Sequence, residues 1–137
     1  MISQKRKLYQ NLKNCISNAR LLIIGAAGSI GSAFVHQVVE YSPETLHLID
    51  LSENNLVELV RDLRSSQIEL PDDFKTFSIA LGSQEFDIFL RSEYNYDYVV
   101  NFAAMKHVRS ERDAYSLMRI LNTNALYVKE LLDELSQ

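Results

Sequence analysis

Leu21-Leu22-Ile23-Ile24-Gly25-Ala26-Ala27-Gly28-Ser29-Ile30-Gly31-Ser32 is the stretch that decides the fold. A short apolar run ending in two β-branched residues stops at a glycine, and a helix-period pattern begins at once, so the local order reads strand, tight turn, helix. The glycines at 25, 28 and 31 have G-x-x-G-x-x-G spacing. Gly25 lets the chain leave the strand sharply, Gly28 has no Cβ to hold a phosphate away from the backbone, and Gly31 lets the helix lie close against the sheet. The helix then presents unpaired N–H groups and its positive dipole end to an anion. A glycine pattern alone is weak evidence, and an ordinary strand-to-helix turn also carries one. Here a strand precedes it and a helix follows, the context a dinucleotide-binding turn requires.

Outward from this turn, the pattern repeats. After it, Ile30, Ala33, Phe34, Val35 and Val38 give a broad apolar helix face, and Pro43 ends the helix near Tyr41. Leu46-His47-Leu48-Ile49-Asp50 reads as a second buried strand with Asp50 at its carboxyl end, nineteen positions after Gly31. An acid there accepts hydrogen bonds from adenosine ribose hydroxyls; the competing reading is a helix cap. Ser52 is the better cap and leaves Asp50 for a ligand. Residues 53–64 form an amphipathic helix through Leu56, Leu59, Val60 and Leu63, with Arg61 on its wet side and Arg64 on its flank. Pro71-Asp72-Asp73 reads as a turn, residues 74–81 as a third strand, and Ser83 as the cap of a short helix through Phe86, Phe89 and Leu90. A fourth strand over residues 98–104 ends in the small residues Ala103 and Ala104, which leave room for a cofactor ring, and residues 113–135 carry the spacing of one long amphipathic helix. Strands alternating with helices predict an α/β, Rossmann-like, doubly wound parallel sheet of order 3-2-1-4.

The bulk properties narrow the function. The length suits one domain. No apolar run is long enough to span a bilayer, and the first residues are not signal-like, so the expected place is the cytoplasm. One cysteine, Cys15, excludes an internal disulfide. His36 and His47 have no partners at metal-ligand spacing and read as ordinary helix and strand residues. The net charge is −4, yet Lys5, Arg6, Lys7, Lys13 and Arg20 precede the first strand with no acid among them. Such a basic opening can touch nucleic acid or a membrane surface, but more often it is a solvated helix face. No aromatic-rich basic stripe or zinc spacing points to nucleic acid. Residues 3–17 read as a helix with Leu8, Leu12, Cys15 and Ile16 on its apolar side, packed on the outside of the domain. The expected division is therefore an N-terminal helical extension over residues 1–19 and a nucleotide-binding half-domain over residues 20–137. Tyr9 and Lys13 make a Y-x-x-x-K pair that precedes the nucleotide fold and reads as coincidence.

With the glycine turn and Ala103-Ala104-Met105-Lys106-His107-Val108 both in view, the chain resembles the N-terminal part of extended short-chain dehydrogenase/reductases. Within them it is most similar to the polysaccharide-biosynthesis branch, the UDP-N-acetylglucosamine 4,6-dehydratases. Glu111 and Thr123-Asn124 follow in that branch's order. The resemblance implies a nicotinamide cofactor, NAD or NADP with NAD favoured by Asp50, and a UDP-sugar that is oxidised at C4, dehydrated between C5 and C6, and reduced at C6. It implies cofactor contacts at Gly25, Gly28, Ser29, Ile30, Gly31, Asp50, Ser52, Ala103, Ala104 and Lys106, with Asn124 supporting the active site. Lys106 and His107 are readable as a catalytic pair, a cofactor-loop role being the stronger reading. The family's adenine-contacting aspartate after the third strand is not matched by Ile79-Ala80-Leu81-Gly82-Ser83. Its catalytic Y-x-x-x-K follows a fifth strand, so this chain is expected to hold the first half of the sheet, without turnover on its own, and to associate with itself. The rival expectations are a stand-alone, non-catalytic NAD-binding sensor or scaffold, and a doubly wound domain that binds no nucleotide.

Overall fold

A computed structural model describes residues 2–92 and 95–103. They fall into two compact units, residues 2–78 with 95–102 and residues 79–92 with Ala103. In the first unit the elements are α1 (Ile2–Ile16), β1 (Arg20–Ile24), α2 (Ser29–Val38), β2 (Thr45–Asp50), α3 (Glu53–Ser65), β3 (Asp73–Ser78) and β4 (Tyr98–Asn101). The second contributes α4 (Gln84–Leu90), which Ser83 caps by accepting from the Phe86 N–H.

The four strands form one parallel sheet of order β3-β2-β1-β4, as the alternation of strand and helix patterns predicts. Leu21 lies opposite Leu46 and Tyr98, and Ile24 opposite Ile49 and Asn101, so the carboxyl ends of β1, β2 and β4 are level. Alternation sends Leu21, Ile23, Leu46 and Leu48 to one face, where Val35 and Val38 of α2 and Leu56, Leu59 and Leu63 of α3 close the core. Each such side chain, fully withdrawn from water, contributes about 1.5–3 kcal/mol. Leu22, Ile24, His47 and Ile49 take the opposite parity and are buried as well, the two-sided burial expected of a parallel sheet.

Several boundaries differ from the sequence reading for identifiable reasons. The helix after the glycine turn ends at Val38, and Val39–Tyr41 continue as a 3-10 turn that closes on Ser42 in the left-handed region, before Pro43. β3 begins at Asp73, which had read as part of a turn, because Asp73 pairs with Thr45 of β2; it ends at Ser78, opposite Asp50, where β2 also ends. β4 stops at Asn101, although the Phe102 N–H still donates to the Ile24 carbonyl at 2.8 Å. The apolar side assigned to α1 is buried only at Ile16, while Leu8, Leu12 and Cys15 are exposed. The long helix expected over residues 113–135 lies outside the described residues, as do Ala104, Lys106, His107 and Asn124.

Candidate functional site

β1 is the point where the strand order reverses, with β2 on one side and β4 on the other. In an open parallel sheet the crevice outside the carboxyl ends at such a point is where ligands bind. The glycine turn occupies it.

The turn is anchored to the end of β2 through consecutive backbone donors. The N–H groups of Gly25 and Ala26 both donate to the Ile49 carbonyl, at 2.8 and 3.1 Å. The Ala27 N–H donates to Asp50 Oδ2 at 2.9 Å. Gly25 has a φ of 72°, in the region that L side chains avoid, so the exit from β1 needs glycine there. Gly31 is demanded by packing: a Cβ on it would lie 2.1 Å from the Gly25 carbonyl oxygen. Gly28 is different. Its φ of −72° suits any residue, and a Cβ there would meet only the Gly25 oxygen, at an ordinary 3.6 Å. Nothing within the described protein requires glycine at that position.

Gly28 is also the residue before the first turn of α2, and no side chain caps that helix. The Ser32 N–H donates to the Gly28 carbonyl at 2.8 Å, which leaves the N–H groups of Ser29, Ile30 and Gly31 in the uncapped first turn. Gly28, Ser29 and Ile30 are all exposed, Ile30 at 67 %. The apolar face expected of this helix therefore begins at Phe34 and Val35; Ile30 projects beside the open helix end. This arrangement fits a pyrophosphate, which needs close backbone approach and several donors at once.

Asp50 does more than the sequence indicated. Ser52 caps α3 as expected, accepting from the Asn55 N–H at 3.3 Å, but this does not leave Asp50 unengaged. Its Oδ1 accepts from the Ser52 N–H at 3.0 Å while Oδ2 holds Ala27. The carboxylate thus ties the glycine turn to the start of the loop after β2, and its remaining lone pairs are available to ribose hydroxyls. At the end of β4, Phe102 packs against Phe34 with ring centroids 5.1 Å apart, which fixes the other wall of the switch point. Arg61, a cation that a ribose 2′-phosphate would need nearby, is paired with Glu58 at 2.8 Å. At 1.5 Å rise per residue it stands about 13 Å along α3 from Ser52, and Arg64 stands farther still.

A second polar cluster escaped the sequence reading. His47 is completely buried; its Nε2 donates to Asp73 Oδ1 at 2.8 Å, and its Nδ1 is hydrogen-bonded to the Tyr96 hydroxyl at 2.6 Å. The Thr45 hydroxyl donates to Asp73 Oδ2 at 3.0 Å. The imidazole N–H beside Asp73 holds its carboxyl below the usual carboxylate value of 3.8, burial opposes this, and Thr45 reinforces it. The signal available beforehand was parity: a histidine and a threonine two positions apart in a buried strand must share a face and need partners there. Among the described residues no group of three or more His, Cys, Asp or Glu is placed to hold a metal ion, and no described helix is long and apolar enough to cross a membrane.

Comparison with known proteins agrees with this geometry. The chain is 26% identical over 127 residues to an uncharacterized membrane protein of Methanocaldococcus jannaschii, covering 92% of this chain and 35% of that protein. Among solved structures it is similar to Pen from Bacillus thuringiensis, at 24% identity and a TM-score of 0.71, over 87% of this chain and 35% of that one. It is also similar to the Bordetella bronchiseptica enzyme WbmF in complex with NAD+ and UDP, at 20% identity and a TM-score of 0.64, over 88% of this chain and 32% of that one. The chain spans about a third of the length of these relatives. Residues 21–136, from the core of β1 almost to the last residue, match the family described as polysaccharide biosynthesis protein. By that match the chain belongs to the polysaccharide biosynthesis protein family.

Proposed function

We propose that this chain is the nicotinamide-dinucleotide-binding portion of a nucleotide-sugar 4,6-dehydratase or epimerase of polysaccharide biosynthesis, and that it prefers NAD(H) to NADP(H). The observation that carries the reading is Gly28. The fold demands glycine at Gly25 and Gly31, whereas at Gly28 it leaves room for a side chain, and a bare backbone there suits a group that approaches from outside the described protein. The uncapped first turn of α2 supplies donors for that group, and the dipole of a ten-residue helix favours its negative charge.

Asp50 supports the cofactor preference. A carboxylate at the end of β2 accepts from ribose hydroxyls and repels a 2′-phosphate, and the α3 cations that could offset that repulsion lie too far along the helix. Bound nicotinamide would supply a hydride acceptor and donor; the residues described here bind and orient it. Resemblance assigns Ala103 and Ala104 to the cofactor's surroundings, Lys106 to its loop and Asn124 to support of the active site. The UDP bound by WbmF supports a UDP-sugar as the substrate of the whole protein. Residues 20–137 act as one nucleotide-binding half-domain with residues 1–19 appended, and the protein works in the cytoplasm.

Titration calorimetry of the purified chain with NAD+ and NADP+ tests the reading. Tighter binding of NAD+ is expected; equal or tighter binding of NADP+ overturns the preference, and failure to bind either overturns the assignment. The 137-residue chain supplied with a UDP-sugar is expected to release no 4-keto-6-deoxy product, because a Y-x-x-x-K pair does not follow the nucleotide-binding elements.

A further inference from the structure

Among the described residues, large exposed apolar side chains cluster in the first three turns of α1. Leu8 is 60 % exposed, Tyr9 58 % and Leu12 43 %. The other large exposed apolar residues among those described occur one to an element or loop, as Ile30, Leu51, Val57, Ile88 and Tyr98 do. Leu8 and Leu12 are one turn apart, so they share a face, and Tyr9 borders it. The last turn is held differently: Ile16 is buried in the core, and Cys15 lies against Tyr98, whose phenol it pushes above its ordinary range.

The charge on this helix is as one-sided as its apolar surface. Lys5, Arg6, Lys7 and Lys13 give it +4 with no acid, while the whole chain is −4, so the rest of the protein carries −8. Lys5 stands one turn before Leu8 and Tyr9, among the apolar residues and not opposite them.

We infer that α1 lies on an anionic bilayer surface, with Leu8, Tyr9 and Leu12 entering the boundary between head groups and acyl chains. Such a surface accepts both features together. Flexible lysine stems let the ammonium groups of Lys5 and Lys13 reach phosphates while the leucines go deeper, and tyrosine suits the interface between apolar and wet layers. A protein seam fits less well, because closing it over Leu8 and Leu12 would strip water from Lys5. A second copy of α1 would add another four positive charges against the first four. The −8 elsewhere makes the attachment directional, since an anionic surface attracts this helix and repels the remainder. This inference does not depend on nucleotide binding.

Vesicle flotation of the full chain tests it, comparing phosphatidylcholine vesicles containing roughly a third phosphatidylglycerol with pure phosphatidylcholine. The anionic vesicles are expected to carry at least about tenfold more protein at low salt, and most of it should be released near 0.5 M salt. The double variant L8Q/L12Q should lose most of this binding with its charge intact. The triple variant K5Q/R6Q/K7Q should lose it with its leucines intact. Unchanged circular dichroism would show that both remain folded, as expected for exposed positions. Equal association with both vesicle types, association with neither, or undiminished binding by L8Q/L12Q would overturn the inference. So would a dimer in sedimentation velocity that L8Q/L12Q dissolves, which would assign the face to a second copy of the chain.

Discussion

At residue scale, the three glycines of one motif answer to different forces and should respond differently to substitution. Gly31→Ala puts a methyl group 2.1 Å from the Gly25 oxygen, a backbone atom that cannot move without disturbing the turn. The expected cost is roughly 2–4 kcal/mol, read as a fall in the urea midpoint at unchanged slope. Gly28→Val meets no such obstacle and keeps a backbone angle that valine tolerates. It should melt close to the parent protein yet lose NAD+ affinity by roughly a hundredfold or more in calorimetry, because its side chain occupies the path of the pyrophosphate. A Gly28→Val protein that binds NAD+ normally would remove the main support for the proposed function. Asp50→Ala tests a dual role: loss of an acceptor for the Ala27 and Ser52 N–H groups should cost about 1–3 kcal/mol of stability, in addition to the loss of ribose contacts.

At the scale of elements, the amino-terminal ends of β2 and β3 are joined by more than their backbone ladder. His47 and Thr45 of β2 both reach Asp73 of β3, and Tyr96, just before β4, completes the chain of hydrogen bonds. The Asp73 carboxyl titrates lower in the folded protein than in the unfolded chain because the His47 N–H donates to it. Its contribution is therefore fully present above the unfolded value of 3.8 and is lost as the pH falls through the lower folded value. Urea unfolding across the acid range should show stability falling below about pH 4, and Asp73→Asn should flatten that slope while lowering stability at neutral pH. An Asp73→Asn protein with the parent's full acid dependence would assign the effect to other carboxylates. Because the Asp73 side chain remains partly exposed to water, its share should be modest.

At the scale of the whole molecule, the two edges of the described sheet are unlike. β3 carries Asp73 and Lys75, charges of the kind that discourage pairing with another chain. β4 contains Tyr98, Val99, Val100 and Asn101, without a charge or a proline, and its ladder is with β1. Two chains joining β4 to β4 about a two-fold axis would extend the sheet without exposing new edges. Sedimentation at micromolar concentration is expected to show such a dimer, and Val100→Pro is expected to weaken it. A dimer unaffected by Val100→Pro but dissolved by L8Q/L12Q would shift the interface from the sheet edge to α1.

Local sequence patterns account for the described elements and their order. Hydrophobic period, glycine spacing and cap residues act over a few neighbours, and Ile23-Ile24-Gly25, Ser52 and Ser83 each carry their meaning locally. Strand order followed because alternating strands and helices leave few arrangements that bury a two-sided apolar sheet. Only the tertiary structure decided that Asp50 clamps the glycine turn, that Asp73 starts a strand to meet His47, and that Leu8 and Leu12 stay exposed. Each of these depends on a partner far along the chain, or on the lack of one among the described residues. Sequence periodicity tells a helix which face is apolar, but what meets that face is set only when distant segments are brought together.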